Sequence, residues 1–218
     1  MAKFHPEPEM LMEYAAGSAS EPISLVIATH VAVFPECRSR VAEYEELGGA
    51  LLEDIGDGDV DQRVFDKVFS QLDAATPEIC EPAAQPTEEE ADLRIPNPLR
   101  SYLGRPLEDL AWKKKGPVEE FEFLTDCPGV TTRLLKIKSG KAMPRHTHEG
   151  MELTLVLAGG FTDQGLHFGR GDIEVADTQT DHAPVADERE DCYCLAVNDK
   201  RLRLTGPLSR FVNPFIRL

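Results

Sequence analysis

The chain has 218 residues and a formal net charge of −16, and 41% of its residues are hydrophobic. This composition supports a buried core and argues against wholesale disorder, while the negative charge argues against direct binding of nucleic acid. No apolar run approaches the roughly 20 residues of a membrane span, and the first residues lack a signal-peptide pattern, so we expect a cytoplasmic protein with no membrane partner. The five cysteines are then expected to be reduced thiols or metal ligands.

The charge is unevenly distributed along the chain. Residues 1–75 carry 15 acidic and 5 basic groups, net −10, residues 76–99 carry 6 and 1, net −5, and residues 100–218 carry 18 and 17, net −1. The middle segment contains five prolines and little apolar periodicity, which is typical of an extended linker. The sequence therefore predicts an acidic N-terminal module, a linker and a nearly neutral C-terminal domain with these boundaries.

Proline and glycine signals divide the N-terminal module into four predicted helices. Pro8 is suited to the first turn of a helix and Gly17 to its end, while Pro22 lies at a second start signal. Pro35 ends that second helix and can begin a third, which we expect to end near Leu47. A fourth helix is predicted from an apolar stripe: Val64, Phe65, Val68, Phe69 and Leu72. Four short helices form a marginal core, and such a unit often needs a metal or a partner.

Three potential zinc ligands lie near the ends of these helices. His5 precedes the first helix, and His30 and Cys37 flank the junction between the second and the third. Imidazole nitrogen and thiolate sulfur are preferred zinc ligands, and a helix junction can bring such groups together. The alternative is an exposed His5, a His30 at a helix end and a buried free Cys37 with no shared role.

From Val130 onward the pattern changes to short strands, which predicts a small β-barrel or sandwich and an α+β multidomain fold. His146, His148 and Glu152 are offset by two and then four positions, so all three can project to one face of a strand pair. His182 follows beyond a hairpin. Such a mixed nitrogen and oxygen set suits zinc, iron, manganese or nickel. The alternative is a row of exposed histidines on an edge strand.

The segment from Gly140 to Gly159 matches a known motif. Its pattern, G-x5-H-x-H-x3-E-x6-G, is the first cupin motif, and every defined position is present. Gly171 and His182 have the spacing of the second cupin motif, in which other positions differ. The resemblance to cupins implies a β-barrel over residues 115–218 that binds a metal ion, with zinc expected first. The ligands that this resemblance implies are His146, His148, Glu152 and His182.

The combination of this domain with the helical module resembles the ChrR-type cupin-linked anti-sigma factors. Similar segments span essentially the whole chain and include EYAAG (13–17), SLVIATHVAVFPECRSR (24–40), HTHEGMELTLVLAG (146–159) and GDIEVAD (171–177). In that family the helical domain, an anti-sigma module, binds an extracytoplasmic-function (ECF) sigma factor and keeps it from RNA polymerase. The cupin domain is needed for release under an oxidative signal. The resemblance implies the same partner and the same control here.

One position departs from the zinc motif of that family, H-x3-C-x2-C. Phe34 replaces the first cysteine, which leaves His5, His30 and Cys37 as the implied ligands. The fourth ligand could be water, Glu36 or none, and loss of a thiolate should weaken the site because metal binding there contributes to folding. Alternatively, Phe34 fills the vacated space and the module is metal-free, so a second zinc ion is left open.

Apolar side chains on the helices are the candidate contacts with the sigma factor, because binding hot spots are buried apolar anchors. They are Met10, Leu11, Tyr14, Val26 and Val33. Weak self-association of the chain is also left open.

Cys192 and Cys194 face the same side of a predicted strand, either as a redox-sensitive pair or as small interior side chains.

The rival function is a metal-dependent cupin dioxygenase, with metal positions open for O₂ and substrate and with the helices as a docking arm.

Overall fold

The structure is a computed structural model that describes residues 3–56, 58, 60–74, 92, 94–123 and 125–206. Most of the predicted linker, including Cys80, lies outside the described residues. Within the described part, no helix is both long and apolar enough to cross a membrane.

The helices precede the strands along the chain, which confirms the predicted α+β class. The α-helices are α1 (Pro8–Ala15), α2 (Glu21–Val33), α3 (Pro35–Asp54), α4 (Gln62–Ala74) and α5 (Asn97–Leu103), and a 3₁₀ turn follows at Leu107–Asp109. The strands are β1 (Lys113–Lys115), β2 (Val118–Phe123), β3 (Thr131–Ile137), β4 (His146–His148), β5 (Glu152–Ala158), β6 (Gly160–Asp163), β7 (Leu166–Gly169), β8 (Ile173–Ala176), β9 (Asp181–His182), β10 (Val185–Ala186), β11 (Cys192–Asn198) and β12 (Leu202–Leu204).

Helices α1 to α4 agree with the four helices predicted from the sequence, and the three proline start signals are confirmed. Pro8, Pro22 and Pro35 lie in the first turns of α1, α2 and α3. The predicted end of α3 near Leu47 is wrong, because the helix continues to Asp54. Two glycines in a helix interior cost about 1 kcal/mol each but do not forbid the helix, and good helix formers follow them here. Helix α5 begins inside the predicted linker and was missed.

The strands form three antiparallel sheets, and the largest contains the core. Its six strands are ordered β1-β2-β3-β11-β5-β8, and the smaller sheets are β10-β6-β7 and β12-β4-β9. Leu153 and Leu155 of β5 belong to one buried cluster that includes helix residues, whereas Val156 belongs to a second cluster that includes Cys194. The large sheet is therefore buried on both faces, which explains why six of the seven residues of β5 are buried.

Contacts divide the chain into two compact units, one formed by residues up to Glu45 with those from Asp92 onward, and the other by residues 46–91. This grouping differs from the predicted boundaries at 75 and 99. The reason is that α2 packs on the large sheet: Leu25 and Val26 are 3% and 0% exposed and share a cluster with Leu153. The first helices and the strands thus share one core.

The unit formed by residues 46–91 contains the exposed apolar stripe of α4. Helix α4 confirms the fourth helix predicted from the sequence. Each of the apolar side chains that predicted it is nevertheless between 47% and 63% exposed. These residues are Val64, Phe65, Val68, Phe69 and Leu72. Among the described residues, these side chains belong to no buried hydrophobic cluster.

The segment before α1 pairs with the start of β8. The backbone N–H of Ile173 donates to the carbonyl oxygen of Phe4 at 2.9 Å. The carboxylate of Asp172 accepts hydrogen bonds from the backbone N–H groups of Lys3 and Phe4. The ring of Phe4 also packs on that of Phe168, with centroids 4.6 Å apart. Residues 3–4 are therefore fixed to the sheet.

The C-terminal end of α2 contacts Gly171, which lies two residues before β8. Nδ1 of His30 donates to the carbonyl oxygen of Gly171 at 3.0 Å. The ring of Phe34 lies so close to Gly171 that a Cβ atom there would be 2.1 Å from the nearest ring carbon. We call the contacts of Phe4, His30 and Phe34 with residues 171–173 the helix–sheet joint.

We predict that Gly171→Ala destabilises the chain more than Gly165→Ala. Both glycines have a positive φ, +86° and +81°, so either alanine should cost roughly 1–2 kcal/mol of backbone strain. Only the alanine at 171 also meets Phe34, and this overlap should lower the free energy of unfolding by about 1–3 kcal/mol more. Urea unfolding of the two variants measures the difference.

The matched test combines Gly171→Ala with Phe34→Ala, which removes the ring that the new methyl group would meet. The combination should recover most of the additional loss, once the effect of Phe34→Ala alone is subtracted. Equal losses for the two glycine variants would show that the ring does not restrict position 171.

Candidate metal centres

Three histidines of the β-strand region meet at one buried point, which we call the three-histidine cluster. Strand β4 carries His146 and His148 two positions apart, so both project to the same face, and pairing with β9 places His182 opposite His146. Nε2 of His182 lies 3.0 Å from Nε2 of His146 and 3.0 Å from Nε2 of His148. All three residues are buried. The predicted convergence of these three histidines is thus present.

Hydrogen bonds at the other ring nitrogens determine which atoms the cluster presents. Nδ1 of His146 donates to the carbonyl oxygen of Pro144 at 2.7 Å, and Nδ1 of His182 donates to a carboxylate oxygen of Asp163 at 2.8 Å. A neutral imidazole has one N–H, so both Nε2 atoms turn lone pairs toward each other. Lone pairs 3.0 Å apart repel each other, and a shared cation would remove the repulsion. The cluster therefore fits a metal ion.

The electrostatic environment favours the neutral, metal-binding form of the imidazole ring. Burial lowers the pKa of His146 to about 4, and the neighbouring His182 acts in the same direction against the Pro144 carbonyl. Burial also lowers the pKa of His148. At neutral pH these two rings present lone pairs rather than positive charges.

Glu152, the fourth predicted ligand, lies on the other side of His148. Its carboxylate accepts a hydrogen bond from the Thr154 hydroxyl at 3.1 Å and one from the Asn198 amide, and it lies 3.8 Å from Nδ1 of His148. Burial opposes its ionisation, but His148 and the Asn198 hydrogen bond hold the pKa of Glu152 below its ordinary value. Among the described residues, no oxygen of Glu152 lies within 4.8 Å of the ligand nitrogens of all three histidines. Coordination by Glu152 therefore stays a prediction.

Two carboxyl groups next to His182 were missed in the sequence. Asp163, the last residue of β6, contacts Nδ1 of His182, and Glu174 of β8 hydrogen-bonds to Asp163. Burial and then the Asp163 charge raise the pKa of Glu174 to about 8. Ligand atoms of the three residues also lie within 4.8 Å of one another. The one available signal was an acidic residue inside the otherwise apolar strand IEVA.

The predicted N-terminal ligands also converge. Nε2 of His30 lies 3.3 Å from Nδ1 of His5 and 3.3 Å from Sγ of Cys37, and the latter two atoms are 3.4 Å apart. Because Nδ1 of His30 donates to a carbonyl group, its Nε2 lone pair faces the other two ligands. Among the described residues this group contains three ligands and does not include the exposed Glu36.

Phe34 occupies the space beside this ligand set. Its ring stacks on His30 with centroids 4.7 Å apart and meets His5 edge-on at 5.7 Å. Burial lowers the pKa of His30 to about 4, and the nearby His5 lowers it as well. Burial raises the pKa of the Cys37 thiol, so metal binding would have to displace its proton. The residues fit zinc with three protein ligands rather than four.

Cys192 and Cys194 lie side by side in the interior. Both are buried, and their sulfur atoms are 3.5 Å apart. The hydrogen bond with Cys192, and then burial, raise the pKa of the Cys194 thiol well above its ordinary value. The thiolate is the reactive form of cysteine, so the Cys194 thiol is protected in this conformation. A redox role for the pair stays a prediction.

The predicted sigma-binding residues fall into two groups. Leu11 and Val26 are fully buried in cores of this chain, so they cannot contact a partner in this conformation. Helical periodicity identified their apolar face correctly but not what covers it. Met10 and Tyr14 are half-buried, and Val33 is 39% exposed. These three stay candidate contacts.

Comparisons with known proteins agree with this arrangement. A family model described as the ChrR cupin-like domain matches residues 105–201. The anti-sigma-E factor ChrR of Cereibacter sphaeroides is 41% identical over 216 residues, which cover 99% of each chain. The crystal structure of Rhodobacter sphaeroides SigE in complex with the anti-sigma ChrR matches at a TM-score of 0.76 and 38% identity, over 91% of this chain and 99% of that chain.

The chain therefore belongs to the family of ChrR-type cupin-linked anti-sigma factors. The family membership and the cupin domain predicted from the two ligand motifs are confirmed.

We predict that His182→Ala and His30→Ala remove different metal ions. Each change takes one nitrogen ligand from a three-ligand set, so each should lower the zinc content of the full-length chain by about one equivalent. His167→Ala is the control, because His167 is 50% exposed and belongs to neither set. Elemental analysis of the purified variants measures the content. Zinc lost from His182→Ala but not from His30→Ala would indicate a metal-free N-terminal module.

Phe34→Cys should strengthen zinc binding by the N-terminal set. The change completes the H-x3-C-x2-C motif with a thiolate beside His30, and we expect affinity to rise at least about tenfold. Phe34→Ala is the matched control, because it removes the ring without adding a ligand. Chelator competition measures both affinities, and equal values would contradict the prediction.

Proposed function

We propose that this chain is a cytoplasmic anti-sigma factor that binds and inhibits an ECF sigma factor. The observation that carries the proposal is 41% identity over 99% of the chain to a protein named as an anti-sigma-E factor. A related anti-sigma factor in complex with SigE shares the fold over 91% of this chain. The convergence of both ligand sets supports a metal-dependent version of this function.

The exposed stripe of α4 is well suited to a protein partner. Its apolar side chains are about half exposed or more, and the rings of Phe65 and Phe69 lie together with centroids 4.4 Å apart. Large apolar side chains that share one exposed face indicate an interaction surface, and aromatic residues often dominate binding energy. In the proposed complex these two rings are the anchors.

Acidic charge favours the same partner. Residues 1–75 carry a net charge of −10, and Glu43, Glu45 and Glu46 of α3 are exposed. Sigma factors present basic surfaces to promoter DNA, so this charge would steer the encounter and favour it at low salt.

The helix–sheet joint supports control by the cupin part. His30 is both an N-terminal ligand and the donor to Gly171, and Phe4 next to the ligand His5 pairs with Ile173. A displacement of residues 171–173 would therefore change the geometry of two ligands. In the proposed control, an oxidative signal at the three-histidine cluster shifts the helices to a second state with lower affinity for the sigma factor.

Zinc is the metal we assign to both sets. Imidazole with thiolate favours zinc at the N-terminal set, and three imidazoles suit zinc with iron, manganese or nickel as alternatives. At the three-histidine cluster a bound ion would supply a Lewis-acidic centre and tie β4 to β9.

Phe65→Asp together with Phe69→Asp should strongly weaken binding of the ECF sigma factor. Each lost aromatic anchor costs about 2 kcal/mol or more, so affinity should fall at least about 100-fold. Co-expression of the full-length chain with the ECF sigma factor encoded nearest its gene, followed by co-purification and calorimetric titration, measures the loss. Leu166→Asp is the control, since Leu166 is an apolar residue of β7 with 51% exposure.

The outcomes separate the proposals. A wild-type chain that binds no ECF sigma factor would contradict the anti-sigma function itself. A complex unaffected by the double change would exclude the α4 stripe as the main contact. Metal-dependent consumption of O₂ with a small substrate would favour the cupin dioxygenase instead.

A further inference from the structure

A buried hydrogen bond links Asp163 to the three-histidine cluster. Oδ2 of Asp163 lies 2.8 Å from Nδ1 of His182, and the two side chains are only 5% and 1% exposed. A carboxylate bound to an imidazole N–H forms a short, charge-assisted hydrogen bond, and water cannot compete for it at this burial. The contact therefore determines both the tautomer and the ring orientation of His182.

The fold holds the Asp163 carboxylate from two directions. Asp163 is the last residue of β6 and pairs with Leu166 across a two-residue turn, in which Gln164 and Gly165 have φ values of 47° and 81°. Two central residues with positive φ are typical of the tight hairpin turn whose twist matches the strands. From β8, Glu174 hydrogen-bonds to the same carboxyl group.

The other two histidines of the cluster are held differently. Nδ1 of His146 donates to a backbone carbonyl group, and Nδ1 of His148 has no hydrogen-bond partner among the described residues. Within the described part of the chain, Asp163 is thus the side chain that sets the tautomer of a cluster histidine.

We propose that Asp163 is a positioning residue for the metal at the three-histidine cluster: it keeps the proton of His182 on Nδ1 and directs the Nε2 lone pair toward the ion. The inference rests on the proposed metal site and adds a residue outside both cupin motifs. A carboxylate behind a histidine ligand also increases the basicity of the ring, which strengthens its bond to the metal.

Asp163→Asn tests the proposal in the full-length chain. The amide has the size of the carboxylate but lacks its charge and can donate or accept, so it no longer holds His182 in one tautomer. Zinc affinity is measured by chelator competition in a Cys37→Ser background, which disables the N-terminal set. We expect Asp163→Asn to lower affinity about 10- to 100-fold.

Asp187→Asn is the matched control. Asp187 forms a comparable contact, 2.9 Å, with Nε2 of His167, but this pair is exposed and outside the cluster. We expect this variant to bind zinc like the reference chain. A second measurement needs no variant: nitrogen-15 spectra of the metal-free wild-type chain at mildly alkaline pH should show His182 protonated on Nδ1.

Each outcome decides the inference. Equal zinc affinity with and without Asp163→Asn would overturn it, even if the variant were less stable, because that pattern indicates a structural role alone. A wild-type His182 protonated on Nε2 would overturn it as well. A wild-type chain without zinc at the cluster would overturn the proposed metal site and this inference together, which distinguishes that failure from the first two.

Discussion

Strands β5 and β11 have apolar side chains on both faces, and the positions of the other elements depend on this burial. One face packs against Leu25 and Val26 of α2. The other face belongs to the second buried cluster, which is formed mainly by strand residues. A one-residue shift of such a strand would exchange the contents of two cores, so its register is strongly determined. Because β5 pairs with β8, the same constraint fixes Ile173 at the helix–sheet joint and Glu174 beside Asp163.

Both ligand sets use the same physical arrangement. In each, a buried histidine donates its Nδ1 proton to a backbone carbonyl group: His30 to Gly171, and His146 to Pro144. Burial then lowers the pKa of each ring to about 4. The result is a neutral imidazole whose Nε2 lone pair points at other ligands, and this arrangement favours a cation over a proton.

The sequence predicted what depends on local periodicity and missed what depends on where elements end. A spacing of two places His146 and His148 on one face because both lie in β4. Glu152 belongs to the next strand, because β4 ends at His148 and β5 begins at Glu152, so spacing along one strand does not place its carboxylate and its coordination stays a prediction. Helical periodicity likewise identified Val26 as part of an apolar face, yet only the tertiary structure shows that the sheet covers it.

Phe34 shows how one position can serve either a metal or a packed joint. A cysteine there would supply a fourth ligand to the N-terminal set, but it would leave the space above Gly171 unfilled. The phenyl ring occupies the space that a Cβ atom at position 171 would need, and it stacks on His30. A buried ring contributes apolar area that a thiolate lacks. In this chain the end of α2 therefore meets the sheet through the Phe34 ring as well as through the hydrogen bond from His30 to Gly171.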